Sequence, residues 1–324
     1  MWAVTISGGE LRWQEHPDPR PGTGELLVAV RAAGVNNADL MQLGGFYPAP
    51  PGSPADIPGL ELAGIVTEVG PAAQRFSPGD RVMAVVGGGG QAQLAVLHER
   101  LAMRIPDGLA WEAAGGFPEA FTTAHDALFG QCGLKMGERL LVNGAAGGVG
   151  TAAVQLGVAA GASVVATVRR DAQRDAVAAF GAEVWVTDPL KTPPGPFDVV
   201  LELVGAPNMS SNLAALANRG RIAVVGTGAG SRAELDLGRL MARRGAVHGS
   251  TLRARSLEDK ASAARAVESQ VLPILADGRM RVAVEATLPM SEAASAYERF
   301  AAGGKVGKIV LTLEGSPGEA PGQG

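Results

Sequence analysis

Small residues in the run GAAGGVG, at positions 144–150, are the first feature of the sequence whose types and spacing suggest chemistry. Gly147 and Gly150 take the second and third glycine positions of a G-x-G-x-x-G fingerprint, between an apolar stretch and a stretch typical of a helix. Missing Cβ atoms there would admit a pyrophosphate and bring the helix close to the strand, with free N–H groups facing the phosphates. The run predicts a dinucleotide site rather than a tight turn without a ligand. Its predicted cofactor contacts are Gly144, Ala146, Gly147, Gly148, Val149 and Gly150.

The end of the second predicted strand decides which dinucleotide this turn would bind. Sites for NAD usually place Asp or Glu about 20 residues after the glycines, whereas this sequence has Arg169 and Arg170 there. A guanidinium offers paired donors to a 2′-phosphate, which a carboxylate would repel. We therefore predict NADPH over NADH, with Thr167 also at the cofactor. An ordinary solvated charge pair is the alternative interpretation of the two arginines.

The elements that would position this turn change character along the chain. Up to about residue 120, short apolar or alternating runs separated by Gly, Pro and Asp predict a mostly β domain. From about 138, strands alternate with helices, which indicates a parallel sheet covered on both faces. Strand-like runs return at 281–286 and 308–313 after a helical stretch at about 257–276. The predicted domains are therefore 1–120 with 279–324, and 121–278, with a disordered tail over 314–324.

The composition excludes several classes of protein. The 324 residues carry a net charge of −4, which argues against a nucleic-acid-binding surface. No apolar run approaches the roughly 20 residues of a membrane span, and the N-terminus lacks a signal-peptide pattern. Cys132 is the only cysteine, which excludes an internal disulfide and any metal site built from several thiolates. We expect a cytoplasmic protein without membrane or nucleic-acid partners.

Several segments resemble the signposts of the medium-chain dehydrogenase/reductase superfamily: GVNNAD at 34–39, PGLELAG at 58–64, GDRV at 79–82 and the glycine-rich turn. Within that superfamily, DLMQ at 39–42, GGGGQAQ at 87–93, FPEA at 117–120 and GKIVL at 307–311 are similar to the quinone oxidoreductases related to zeta-crystallin. The resemblance implies an α/β fold, with a GroES-like β-rich catalytic domain and a Rossmann doubly wound parallel-sheet nucleotide domain. It also implies a homodimer.

The sequence departs from the zinc enzymes of the superfamily. Asn36 stands at the position of their cysteine ligand and Leu60 at the position of a histidine ligand, so that Glu61 alone remains. One carboxylate cannot build a zinc site. We therefore expect metal-free hydride transfer to an acceptor that is already electron-poor, such as a quinone or an enone.

The resemblance also suggests which side chains surround the reactants. Asn36 and Tyr47 are its candidate catalytic donors to the acceptor oxygen, with a loop-capping amide and a rim packing residue as the alternatives. The remaining contacts that it suggests for the cofactor are Thr123, Val204, Gly226, Thr227, Leu252 and Lys305.

The expected activity is NADPH:quinone oxidoreduction with a small-molecule acceptor. Two other functions stay open: a reductase of enones or enoyl thioesters, and a non-catalytic NADPH-binding protein. A hydrolase lacks support because the sequence has no G-x-S-x-G elbow, and a P-loop hydrolase lacks its G-x-x-x-x-G-K-[ST] motif.

Overall fold

The computed structural model describes residues 1–187 and 193–313, so the predicted disordered tail lies outside the described residues. The chain divides into two compact units. The first takes Met1–Glu119, Leu252–Gly303 and the described residues from Lys308 onward, and the second takes Ala120–Thr251 and Gly304–Gly307.

The described part of the chain begins with mostly strands, continues with strands that alternate with helices, and ends with both helices and strands. The strands are β1 (Trp2–Ser7), β2 (Glu10–Glu15), β3 (Glu25–Val35), β4 (Glu61–Val69), β5 (Arg81–Val85), β6 (Leu94–His98), β7 (Met103–Arg104), β8 (Arg139–Asn143), β9 (Ser163–Val168), β10 (Glu183–Val186), β11 (Phe197–Glu202), β12 (Leu216–Val224), β13 (Ala246–Gly249), β14 (Val284–Pro289) and β15 (Lys308–Thr312). The α-helices are α1 (Asn37–Leu43), α2 (Trp111–Gly116), α3 (Pro118–His125), α4 (Gly148–Ala159), α5 (Arg174–Ala178), α6 (Met209–Ala214), α7 (Leu237–Arg243), α8 (Leu257–Gln270), α9 (Leu272–Ala276) and α10 (Ala293–Ala302).

A seven-stranded sheet forms the centre of the first unit. Its order is β14-β15-β3-β4-β5-β7, with β6 also paired to β3, and all pairs except β14 with β15 are antiparallel. Strand β3 is buried along most of its length because it has neighbours on both edges. Leu26, Leu62 and Ile309 belong to the core, together with Tyr297 of α10. Burying each large aliphatic side chain contributes about 2 kcal/mol to stability.

The second unit contains a six-stranded, wholly parallel sheet. Its order is β10-β9-β8-β11-β12-β13, and the direction of winding reverses between β8 and β11. In open α/β sheets, ligands bind at the carboxyl ends of the strands beside such a switch point. The run at 144–150 follows β8 directly and therefore lies at this switch point.

The structure confirms most predicted elements and changes three boundaries. The strand predicted at 281–286 is Val284–Pro289, and the helix predicted near 208–217 is only Met209–Ala214, because the chain enters β12 at Leu216. The third difference concerns the domain boundaries. Gly304–Gly307, predicted in the catalytic domain, lies in the second unit, and residues 252–278, predicted in the nucleotide domain, lie in the first unit. There Arg265 of α8 donates to the carbonyl of Ala102 at 2.6 Å.

Within the two described ranges, no helix is long and apolar enough to cross a membrane.

Candidate functional site

The glycine-rich turn of the second unit has the geometry that its sequence predicts. Gly144 has a φ of +76°, and Gly147 is the N-cap of α4. A Cβ at Gly150 would lie 2.6–2.7 Å from backbone atoms of Ala145, so the absence of a side chain is what allows α4 to approach the turn. A Cβ at Gly147 would meet only the carbonyl oxygen of Gly144, at 3.9 Å. The backbone at 147 therefore faces open space that a pyrophosphate could enter.

The segment 304–307 packs beside this turn. The N–H of Gly307 donates to the carbonyl of Ala146 at 2.8 Å. The amide of Gln173 donates to the carbonyl of Lys305 at 3.0 Å, and the Lys305 ammonium donates to the carbonyl of Gly307 at 2.9 Å. The backbone of Lys305 thus lies beside the turn at 144–150, and its contact with a cofactor stays a prediction.

Two guanidinium groups are exposed near the same segment. Arg169 and Arg170 follow β9, and a Cβ at Gly304 would lie 2.2 Å from Nη1 of Arg170. In the part of the chain that the structure describes, neither arginine forms an ion pair, whereas Arg174 pairs with Asp171 at 3.0 Å. Two positive charges are therefore available to an anionic group at the end of β9.

The remaining predicted cofactor residues lie on several elements. Thr123 is buried in α3, and Val204, Gly226 and Thr227 follow β11 and β12. A cavity of about 240 Å³ opens near these strand ends, lined among others by Gly205, Met209, Thr227 and Val247. Leu252 is half-buried and begins the part of the first unit that follows β13.

A buried cluster in the first unit contains Asn36, Glu61 and Lys308. The Lys308 ammonium donates to Oε1 of Glu61 at 2.6 Å and also to Oδ1 of Asn36. Nδ2 of Asn36 donates to the same carboxylate oxygen at 2.9 Å. Glu61 is fully buried, and Asn36 and Lys308 are 6 % and 3 % exposed. The ion pair neutralises two charges that would otherwise be costly inside the protein.

Space for the Glu61 carboxylate comes from a glycine on the neighbouring strand. A Cβ at Gly34 would lie 2.1 Å from Oε1 of Glu61, closer than any real side chain could be. The other oxygen, Oε2, accepts the backbone N–H of Glu119 at 2.8 Å. Both carboxylate oxygens therefore have protein partners.

This arrangement bears on two sequence predictions. The Asn36 NH₂ group donates to Glu61 and, at 3.4 Å, to the carbonyl of Gly34, so its predicted donation to an acceptor would require a change of partners. For zinc, the donor set does not fit: Glu61 is bound to an ammonium, and Leu60 offers no ligand atom. Among the described residues, no group of three or more His, Cys, Asp or Glu side chains could hold a metal ion.

Asp39 is a second buried acid of the first unit. Its carboxylate accepts the backbone N–H of Asn36 at 2.8 Å and that of Gly59 at 3.0 Å. Burial raises the pKa of Asp39 to about 7, although these two hydrogen bonds and the charge of Lys308 favour the ionised form. Asp39 therefore titrates near neutral pH, where an exposed aspartate is fully ionised.

Tyr47 is held by Arg253, a residue that is 4 % exposed. The guanidinium lies 5.0 Å from the centre of the Tyr47 ring and donates to the Tyr47 carbonyl at 2.9 Å. It also donates to the carbonyl of Gly87 at 2.8 Å and to Oε1 of Gln42 at 2.5 Å. Three separate segments are thus joined through one side chain, which fixes the position of the loop that carries Tyr47.

Sequence reasoning identified Asn36 and Glu61 but missed Lys308 and Arg253. Lys308 opens the apolar strand KIVLT, where a single charge surrounded by buried positions was the available signal. Arg253 gave no comparable signal, because its three acceptors are far from it in sequence.

Comparisons with known proteins agree with the two-unit architecture. Residues 22–107 match the family model for the alcohol dehydrogenase GroES-like domain, and residues 148–269 match the model for zinc-binding dehydrogenases. Human quinone oxidoreductase is 30% identical over 91% of this chain and 91% of its own length. The solved structure of a thermostable alcohol dehydrogenase from Pyrobaculum aerophilum is 29% identical, with a TM-score of 0.83 over 97% of this chain and 99% of that one.

A third relative is much larger than this chain. Erythronolide synthase EryA2 from Saccharopolyspora erythraea is 48% identical over 144 residues, which are 44% of this chain and 4% of the synthase. The chain thus spans only a small fraction of the length of that relative.

These matches define a chain with the alcohol dehydrogenase superfamily fold, in which a GroES-like sheet domain accompanies a Rossmann-like parallel-sheet domain. The chain belongs to the medium-chain dehydrogenase/reductase family and is quinone oxidoreductase-like within it.

Substitutions at the buried ion pair should show strong coupling. Glu61→Gln leaves an ammonium without its carboxylate, and Lys308→Met leaves the carboxylate without its ammonium. Each is expected to lower the free energy of unfolding by about 3–5 kcal/mol. The loss in the double variant should be smaller than the sum of the two single losses by at least about 2 kcal/mol. Urea unfolding followed by circular dichroism measures all three.

The exposed pair Arg100–Glu258 of the same unit provides the matched control. Arg100→Gln and Glu258→Gln should leave the urea midpoint nearly unchanged, since surface ion pairs contribute little. Additive losses at Glu61 and Lys308 would show that the buried pair does not act as a unit.

Asp39 should make the stability of the protein depend on pH. Because its pKa rises from 3.8 to about 7 on folding, the native state binds a proton that the unfolded state has released over this range. The contribution of Asp39 to the free energy of unfolding is complete below pH 4 and is lost as pH rises through 7. Relative to Asp39→Asn, the wild type should lose about 3 kcal/mol of unfolding free energy between pH 5 and 8. A difference between the two proteins that stays constant with pH would contradict the raised pKa.

Proposed function

We propose that this protein is a metal-free NADPH:quinone oxidoreductase. The observation that carries the proposal is the glycine-rich turn at the switch point of the parallel sheet, with Arg169 and Arg170 exposed beside it. The turn suits a pyrophosphate, and the two guanidinium groups suit a 2′-phosphate. The 30% identity to human quinone oxidoreductase along nearly the whole chain supports a quinone as the acceptor.

The buried cluster of the first unit supports chemistry without zinc. In a metal enzyme the ion polarises the oxygen of the substrate. Here Lys308 supplies a positive charge next to Glu61, but its ammonium is buried and donates to two protein acceptors. The acceptor must therefore be activated by its own structure, as a quinone is.

NADPH, when bound, would supply the hydride, and a hydrogen-bond donor would stabilise the oxygen that becomes negatively charged. Tyr47 is our first candidate for that role, because Arg253 fixes its backbone and ring while part of the side chain stays accessible. Asn36 remains the second candidate, with its amide held by Glu61 and Lys308. A hydrogen bond to the developing oxyanion lowers the barrier to hydride transfer.

Reduction of a carbon–carbon double bond conjugated to a carbonyl is the second candidate function. It requires the same hydride and the same oxyanion stabilisation. The 33% identity over 90% of this chain to a segment of the polyketide synthase GfsB from Streptomyces halstedii favours this candidate, because a polyketide chain carries carbonyl groups to which a double bond can be conjugated.

Steady-state oxidation of NADPH, measured with a naphthoquinone, phenanthrenequinone, a small enone and a crotonyl thioester, tests these proposals. We expect kcat/KM for the quinones to exceed that for the conjugated alkenes by about tenfold or more. The reverse order would identify an enone or enoyl reductase. Tight binding of NADPH without turnover of any acceptor would identify a non-catalytic binding protein.

Arg169→Ala/Arg170→Ala should reverse the choice of cofactor. Each guanidinium–phosphate contact is a charge-assisted hydrogen bond, so the double variant should lose about 100-fold in kcat/KM with NADPH and change little with NADH. Arg174 is the next arginine along the chain and is paired with Asp171, so Arg174→Ala is the matched control. This variant should keep the wild-type preference for NADPH over NADH. Wild-type protein that uses NADH as well as NADPH would contradict the assignment of NADPH.

We further propose a cytoplasmic homodimer that associates through the edge of the parallel sheet. Strand β13 ends that sheet, and the exposed apolar residues Leu237, Met241 and Val247 lie on it and on the preceding helix α7. An edge strand with exposed apolar neighbours is suited to pairing with a second copy. Sedimentation velocity should give a dimer, and a monomer at micromolar concentration would contradict this proposal.

A further inference from the structure

Three polar side chains form a row across the carboxyl edge of the parallel sheet. Thr167 of β9 is in register with Asn143 of β8, and Asn143 is in register with Glu202 of β11. All three are buried, and the row crosses the switch point between β8 and β11. Register alone therefore brings these residues together.

Glu202 accepts five hydrogen bonds although it is fully buried. Oε2 accepts from the side-chain amides of Asn143 at 2.9 Å and Asn212 at 2.7 Å. Oε1 accepts from the backbone N–H groups of Val204 at 2.6 Å and Gly205 at 2.8 Å, and from the amide of Asn208 at 3.3 Å. In the part of the chain that the structure describes, no cation forms an ion pair with it, so neutral hydrogen-bond donors alone stabilise the carboxylate.

A chain of hydrogen bonds leads from the glycine-rich turn to this carboxylate. The N–H of Gly144 donates to the Thr167 hydroxyl at 3.3 Å, and that hydroxyl donates to Oδ1 of Asn143 at 3.0 Å. Asn143 then donates to Glu202. Every donor points toward Glu202, because an ionised carboxylate can only accept. The carboxylate therefore determines the direction of the whole chain.

The two segments that this network joins are both predicted cofactor contacts. One end fixes the N–H of Gly144 at the start of the glycine-rich turn, and the other fixes the backbone of Val204 and Gly205. Gly205 has a φ of +119°, a conformation in which a residue with a side chain is strained, so its turn depends on such support.

We propose that Glu202 is a positioning residue for the dinucleotide, and that it aligns the turn at 144–150 with the turn at 203–205 so that both fit the pyrophosphate and the nicotinamide half. The inference rests on the proposed binding of a nicotinamide dinucleotide. It assigns Glu202 no contact with the cofactor. The 2′-phosphate, at Arg169 and Arg170, lies outside the network.

The test compares a whole cofactor with a fragment of it. Glu202→Gln replaces one acceptor oxygen by an NH₂ group, which must then face either the two backbone N–H groups or the two asparagine amides. Isothermal titration calorimetry should show the Kd for NADPH rising about tenfold or more. Adenosine 2′,5′-bisphosphate carries the adenosine half and only one of the two phosphates of the pyrophosphate, and it lacks the nicotinamide half. Its Kd should therefore rise much less, by at most about threefold.

Two further variants separate positioning from folding. Thr167→Val removes the hydroxyl between Gly144 and Asn143 but leaves all five donors of Glu202. It should therefore also raise the Kd for NADPH more than the Kd for the bisphosphate. It provides the test if Glu202→Gln does not fold. Glu183→Gln makes the same chemical change at an exposed position of β10 and should alter neither Kd.

An unchanged Kd for NADPH in Glu202→Gln, or equal weakening of NADPH and the bisphosphate, would overturn the positioning role. Failure of the proposed cofactor gives a different result, since wild type would then bind NADH and not NADPH, and the same comparison would be made with NADH and AMP. Wild-type protein that binds neither dinucleotide would overturn both proposals.

Discussion

Removing a carboxylate from water is the constraint on which both candidate sites depend. An ionised side chain inside a protein is destabilising by several kcal/mol unless its charge is matched or its lone pairs are occupied. Glu61 in the first unit is matched by the ammonium of Lys308, whereas Glu202 in the second unit is surrounded by five neutral donors. The first solution gives a neutral cluster. The second surrounds the carboxylate with hydrogen bonds, two of which come from the backbone of the turn at 203–205.

Both solutions require backbone segments to approach closely, and glycine permits this. Without a side chain at Gly34, the Glu61 carboxylate has room beside β3. Without one at Gly150, helix α4 can start against the turn that follows β8. The two glycines therefore serve different ends: Gly34 makes space for a charged side chain, and Gly150 makes space for a backbone. Larger residues at either position would move the groups that the sites are built from.

The fold could be predicted from sequence to a large extent because its signals are local. Alternating strands and helices after residue 138, and the glycines at 147 and 150, lie within single βαβ units, and the structure has these elements. The position of α8 could not be predicted, because its assignment to the first unit depends on contacts such as that of Arg265 with Ala102. Sequence patterns describe which face of a helix is apolar, but not which of two domains covers it.

The residues of the candidate sites could be predicted where they belong to a sequence motif. They could not be predicted where they depend on contacts between residues that are far apart in the sequence. Asn36 and Glu61 stood out by comparison with the ligand positions of zinc enzymes, but their partner Lys308 is about 250 residues further along the chain. The row from Thr167 to Glu202 was visible only as three polar residues at strand ends, since its meaning depends on strand order.

The Lys308 ammonium explains how the first unit can keep Glu61 without a metal ligand set. A zinc ion would balance that carboxylate and still offer an open coordination position to a substrate oxygen. An ammonium balances the charge with hydrogen bonds that are directed to Glu61 and Asn36, and it offers no coordination position. Under the proposed function, Lys308 therefore stabilises the first unit, while activation of the acceptor comes from its own conjugated carbonyl and from donors such as Tyr47. The substitution of an internal cation for a metal would then narrow the chemistry of this protein to acceptors that are already electron-poor.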